Sequence, residues 1–227
     1  MANTVFLRLE GPLQSWGERA RWGVRDTAPE PTKSGVVGLL GCALGIRNDH
    51  ELRNLSRQIR LGIRCDRPGV MRSDYHTVIG GVLSAEGKVK ITASTKEIET
   101  VVSRRMYLCD ASFVAAVQSK DDSLINTIFQ ALRSPHWPIY LGRKSCPPSS
   151  PILAGVGDFP DLLTALISVR CFVRENAGPI KLRVVIESES SEGIRRRDEI
   201  DLNSCRTFLP RYTLEDLILI QAELTEA

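Results

Sequence analysis

Aromatic side chains make up only 6% of this 227-residue sequence, and it holds just three histidines. His50, His76 and His136 lie too far apart to form a metal-ligand spacing. The six cysteines (Cys42, Cys65, Cys109, Cys146, Cys171 and Cys205) never come closer than 23 positions, which excludes CxxC zinc and redox motifs and leaves buried, reduced thiols as the expectation. No apolar run approaches the roughly 18 residues of a membrane span. The opening MANTVFLRLEG alternates instead of forming the apolar core of a signal peptide, so a cytoplasmic chain with no membrane partner is expected. Neither an internal repeat nor a low-complexity tract interrupts the sequence, and no metal or other cofactor is expected.

What remains is an ordinary globular composition, 42% hydrophobic and 25% charged, long enough for one large domain or two small ones. Its net charge of +3 is unevenly spread: residues 1 to 72 carry twelve Lys/Arg against seven Asp/Glu. Arginine supplies 23 of the 30 basic residues, and its planar fork suits bidentate phosphate contacts. A solvated basic face and a polyanion partner both fit this distribution.

VFLRLEG (5 to 11) sets Val5, Leu7 and Leu9 against Phe6, Arg8 and Glu10, the period-2 pattern of a half-buried strand. Residues 34 to 46 repeat apolar Val36, Leu39, Leu40 and Ala43 at helical spacing, with Thr32 or Ser34 as N-cap. Gly38, Gly41 and Gly45 share one side of that helix; each costs about 1 kcal/mol relative to alanine, so the stripe points to close approach of a backbone or ligand. IRLGIRCDR (59 to 67) is a second strand, with Ile59, Leu61, Ile63 and Cys65 inward and Arg60 and Arg64 on the opposite side. CDASFVAAVQ (109 to 118), apolar on both sides, is a central strand, and DDSLINTIFQALR (121 to 133) is a capped amphipathic helix.

This order makes the chain α+β, with a split βαβ, ferredoxin-like domain at 1–150. An insertion at about 68–107 reads as a projecting hairpin, because KVKIT and EIETVVS are short strand-like runs around polar turns. After the proline-rich SCPPSSP, the strand IKLRVVIE, the hairpin-like EGIRRRDEIDL and the strand or helix LEDLILIQ suggest a small β-rich domain at 151–227.

PTKSG has the ingredients of a phosphate loop in the wrong order for GxxxxGK[ST], which argues against an NTPase. Lys33 and Ser34 at a helix N-terminus can still hold a phosphate without hydrolysing anything. Arg104, Arg105 and Tyr107 in SRRMYLCD, Arg143, Lys144 and Ser145 in YLGRKSCP, and Trp16 in LQSWG add cations and flat rings, the combination that grips single-stranded RNA. His76 beside Tyr75 opens a second route, metal-free RNA cleavage by a base and a cation.

The ordered motifs GPLQSWG, PTKSGVVGLLGCALGI, DYHTV, YLCDASF and YLGRKSCP resemble the CasD family, the small RAMP-type subunit of the type I-E CRISPR Cascade complex. The resemblance runs from about residue 5 to 151, with a weaker likeness in RRRDEI…FLPR. It implies an RRM-like (RAMP) domain with a thumb hairpin and a small β domain. It also implies a non-catalytic subunit that caps the 5′ handle of the CRISPR RNA (crRNA), with the Cascade backbone subunit and large subunit as neighbours and target DNA reached through the complex. The handle-binding candidates carried onto this sequence are Gln14, Ser15, Trp16, Lys33, Ser34, Tyr75, His76, Arg104, Arg105, Tyr107, Arg143, Lys144 and Ser145. Type I-C relatives cut their RNA, which keeps an endoribonuclease built on Tyr75 and His76 as the alternative.

Overall fold

The computed structural model describes residues 3–18, 23–81, 83, 86–92, 94–172, 178–201 and 207–222. Strand β1 (Thr4–Glu10) leads into two short strands, β2 (Leu13–Gln14) and β3 (Val24–Arg25), and then helices α1 (Lys33–Leu44) and α2 (Asp49–Gln58). Next come β4 (Arg60–Arg67), the hairpin strands β5 (Val70–Val78) and β6 (Val101–Cys109), β7 (Ser112–Gln118) and α3 (Asp122–Arg133). The chain continues through β8 (Leu153–Gly157), α4 (Leu162–Ser168), β9 (Gly178–Glu187), β10 (Ile194–Asp201) and β11 (Thr207–Ala222).

Seven strands form one antiparallel sheet in the order β10-β11-β9-β4-β7-β1-β8. Strand β7 lies between β4 and β1 and is buried along its whole length, as its two-sided apolar pattern requires. Helices α1 and α3 cover one side of the sheet, where Val36, Val37 and Leu40 of α1 and Ile125 and Ile128 of α3 pack with Leu7, Leu9 and Ile63. Helix α4 covers the other, where Leu162 and Leu166 pack with Phe6, Val114 and Ala116.

The second layer changes the reading of β1 and β4. The side of β1 that carries Phe6 is core, not solvent. Arg64, expected on an outer side, is 0% exposed: its guanidinium bonds Asp66 and donates to the Leu166, Val169 and Arg170 carbonyls at the end of α4. Those carbonyls have no helical partner of their own, so a buried arginine is satisfied by the end of a helix.

The segment expected to form a separate β-rich domain is β-rich but extends the same sheet. Strand β9 pairs with β4 from Gly62↔Ile186 to Cys65↔Arg183, so the sheet has no break at residue 150. LEDLILIQ is strand, paired with β9 along its length. Helices α2 and α4 escape the apolar periodicity, because α2 is mostly polar and α4 is short; each is marked instead by its N-cap, Asn48 accepting from Glu51 N and Asp161 from Thr164 N.

Strands β5 and β6 leave the main sheet together. Gly69 after β4 and Asp110 before β7 both have left-handed backbones, φ 71 and 56, and a Cβ on Gly69 would lie 2.5 Å from the Cys109 carbonyl oxygen. Two sharp turns side by side swing the hairpin into a second sheet, where β5 runs the length of β6 and leaves the other edge of β6 to β2 and β3. Among the described residues, no helix is long and apolar enough to cross a membrane.

Candidate nucleic-acid interface

Lys33 begins α1, but its ammonium is not available to a phosphate. The residue is 2% exposed, with Nζ 2.7 Å from Glu187 Oε1 and 2.6 Å from Glu199 Oε2, while its backbone N–H donates to Asp198 at 2.7 Å. Thr32 accepts from Gly35 N, so the positive end of the helix is filled by carboxylates of the chain's own C-terminal strands and by its cap. The expected phosphate-holding role of Lys33 is therefore corrected. Ser34, half-buried, hydrogen-bonds Thr32.

The LQSWG loop is also internal. Gln14 is 0% exposed, donating to the Leu9 and Ala111 carbonyls and accepting from Trp16 Nε1 at 3.0 Å. Trp16, 1% exposed, lies against Gly35 of α1, whose added Cβ would fall 2.7 Å from the indole. Ser15 donates to the Met106 carbonyl. Gln14, Ser15 and Trp16 therefore join the second sheet to α1 and offer no stacking surface.

The glycine stripe divides three ways. Gly45 is the left-handed C-cap of α1, a Cβ on Gly41 would meet Leu52 of α2 at 2.5 Å, and Gly38 is exposed with nothing within 4 Å.

YLGRKSCP builds the exposed cationic site. A Cβ on Gly142 would fall onto the Ser15 carbonyl, and its φ of 87 suits glycine, so the turn is held tightly. Leu141 and Cys146 are buried on either side, which turns Arg143 inward and leaves Lys144 and Ser145 exposed. Arg143 donates to the Met106, Arg25 and Asp26 carbonyls and lies 4.7 Å over the ring of the buried Tyr107. Around this anchor, Arg25, Arg105, Tyr140 and Lys144 line an open cleft of about 530 Å³. No described carboxylate forms an ion pair with Arg25, Arg105 or Lys144, unlike the core cations Lys33, Arg64 and Arg211. Burial and the neighbouring Cys42 thiol push the Tyr140 phenol upward, keeping it a neutral donor.

The candidates on the β5–β6 hairpin fall on two sides of their sheet. Register pairs His76 with Ser103, Asp74 with Arg105 and Arg72 with Tyr107, and Arg105 with Arg25 across β3, so His76, Arg105 and Tyr107 share the side of the cleft. Tyr75 pairs with Arg104 on the opposite side, where Tyr75 is 65% exposed. As strand neighbours, Tyr75 and His76 point apart and do not converge on one scissile phosphate. Arg25 escaped the sequence reading, because a lone arginine in WGVRDT has no local signal; only its pairing with Arg105 makes it part of a site.

Among the described residues, Cys42, Cys65, Cys109 and Cys146 are free thiols, with Cys65 and Cys146 buried; Cys205 and residues 19–22 of the first loop lie outside the described residues.

Comparisons with known proteins agree with this architecture. The model of the CRISPR-associated protein (Cas_Cas5) family matches residues 4–211. CRISPR system Cascade subunit CasD of Escherichia coli (strain K12) is 37% identical over 180 residues, 74% of this chain and 77% of the relative. A solved chain described as a CRISPR RNA-guided surveillance complex superposes with a TM-score of 0.73 at 31% identity, covering 98% of this chain and 92% of its own. A crystal structure of a Cas protein gives 0.70 at 34% identity, covering 94% of each chain. A match over nearly the whole sheet, together with identity well above 30%, shows that this chain belongs to the CRISPR-associated Cas5 family.

Proposed function

We propose that the chain is the CasD-type subunit of a type I-E CRISPR RNA-guided surveillance complex and that it binds and caps the 5′ handle of the crRNA without cutting it. The observation that carries this reading is the cleft around Arg143, whose cations Arg25, Arg105 and Lys144 have no carboxylate partner among the described residues. In it, Arg25, Arg105 and Lys144 face phosphates, Ser145 and Tyr140 supply hydrogen bonds, and His76 closes the side toward the thumb. Arg104 and Tyr75 on the far side contact RNA only where the strand passes over the thumb edge. The order β8-β1-β7-β4 with α1 and α3 on one side supports a ferredoxin-like unit, and the β5–β6 hairpin supports the thumb. Residues 1–150 together with β8 then form the unit that carries the RNA, and β9, β10 and β11 brace it. The backbone subunit meets the thumb, the large subunit lies beside the handle, and target DNA is engaged through the complex, in the cytoplasm.

The test is binding of repeat-derived RNA, with the handle intact or scrambled. Handle-specific binding that falls in Arg25→Ala and Lys144→Ala is expected; equal affinity for both RNAs overturns the reading. The alternative, metal-independent cleavage by Tyr75 and His76, is checked by incubating bound repeat RNA in EDTA, where intact RNA is expected.

A further inference from the structure

Among the described residues, strand β5 has an unpaired edge. Its one partner among the described residues is β6, and all nine of its residues, VMRSDYHTV, are exposed except the half-buried His76. A long, flat edge with Val70, Met71 and Tyr75 exposed is a template for strand addition, and neither a proline nor a bulge interrupts it.

We infer that this edge pairs with the same strand of a second copy of the chain, antiparallel and centred on Ser73. Opposed residues of a continuous sheet share a side, so a strand meeting its own copy must be centred on a residue. Centred on Asp74, the pairing sets Asp74 against Asp74 and Arg72 against His76. Centred on Arg72, it sets Arg72 against Arg72. Centred on Ser73, it places Arg72 opposite Asp74 twice, Met71 opposite Tyr75 twice, and Val70 opposite His76. Charge complementarity therefore selects one register out of three, and the overlap from Val70 to His76 ends before Pro68 enters the ladder. The isolated chain keeps its thumb edge covered in this way until another strand replaces the second copy. This pairing does not depend on what the cationic cleft binds.

Sedimentation velocity on the full chain across micromolar concentrations tests it. A reversible dimer is expected, and Ser73→Pro, which removes the central N–H, weakens it about tenfold or more. Arg72→Asp and Asp74→Arg each place like charges across the pair and each weaken self-association about tenfold. Mixed one to one, these two variants regain a dimer, since every opposed pair is again of opposite sign. A chain that stays monomeric at all concentrations overturns the inference. So does a dimer indifferent to all three substitutions, or a mixture that fails to associate better than its components.

Discussion

Replacing Lys33 with alanine leaves Glu187 and Glu199 converging on an empty, buried site, and breaking such a group by removing one partner costs about 3–5 kcal/mol. The expected outcome of Lys33→Ala is a large fall in the thermal midpoint, with the salt dependence of RNA binding by the remaining folded protein unchanged. Arg25→Ala combined with Lys144→Ala should behave in the opposite way. Stability should hold, because both side chains are exposed, and the slope of log K against log salt should fall by about 1.4, roughly 0.7 per phosphate contact on a single strand. Cys65 adds a pH dependence. Burial pushes its thiol up to about 11, against the lowering pull of Arg183. The folded state thus favours the protonated thiol: its contribution is complete below about pH 9 and is lost as pH rises toward 11. Chemical denaturation at pH 8, 9.5 and 11 should show a decline on the order of 2 kcal/mol that Cys65→Ala removes.

At the scale of elements, α1 shows that one glycine pattern can have three causes. Gly38→Ala should stabilise the helix by about 1 kcal/mol, because the position is open and only propensity acts there. Gly41→Val should cost about 1–3 kcal/mol, since Leu52 must move to make room; thermal melts of the two variants separate these causes. If Gly38→Val leaves stability intact but weakens complex assembly, the open position is a partner's contact. The spacing that revealed the helix was legible because Val36, Leu40 and Ala43 face one core, and α3 was legible for the same reason. Helix α2 was not, because a polar helix at the sheet's margin has little apolar stripe to display. The candidate cleft was half legible: Arg105, Arg143 and Lys144, which line it, stand in motifs that can be read locally, whereas Lys33 and Trp16 have the residue types of RNA ligands and the burial of core residues. Residue type alone does not separate the two, since the same ammonium that suits a phosphate also suits two carboxylates.

For the whole molecule, the C-terminal strands do more than brace. Ending the chain at residue 172 would strip β9 from β4, expose an inner sheet edge and take Leu182 and Val184 out of the cluster they form with Phe6, Val114, Leu162 and Leu166. Such a truncation is expected to be insoluble or to lack a cooperative melt, which circular dichroism and expression trials would establish. It would also remove Glu187, Asp198 and Glu199, leaving Lys33 without its partners. Local patterns were sufficient to determine the main strands, two of the helices and the basic bias of the first third, since alternation, helical spacing and capping act over a few residues; the hairpin expected from KVKIT and EIETVVS is instead built by Val70–Val78 and Val101–Cys109. The tertiary structure alone decided that the C-terminal strands join the main sheet, that α4 buries the second side of β1, and which cations carboxylates claim among the described residues. Those outcomes depend on contacts between residues more than 100 positions apart, such as Lys33 with Glu187 and Arg64 with Leu166, and an arginine or lysine carries no local mark of the distant carboxylate or carbonyl that will claim it.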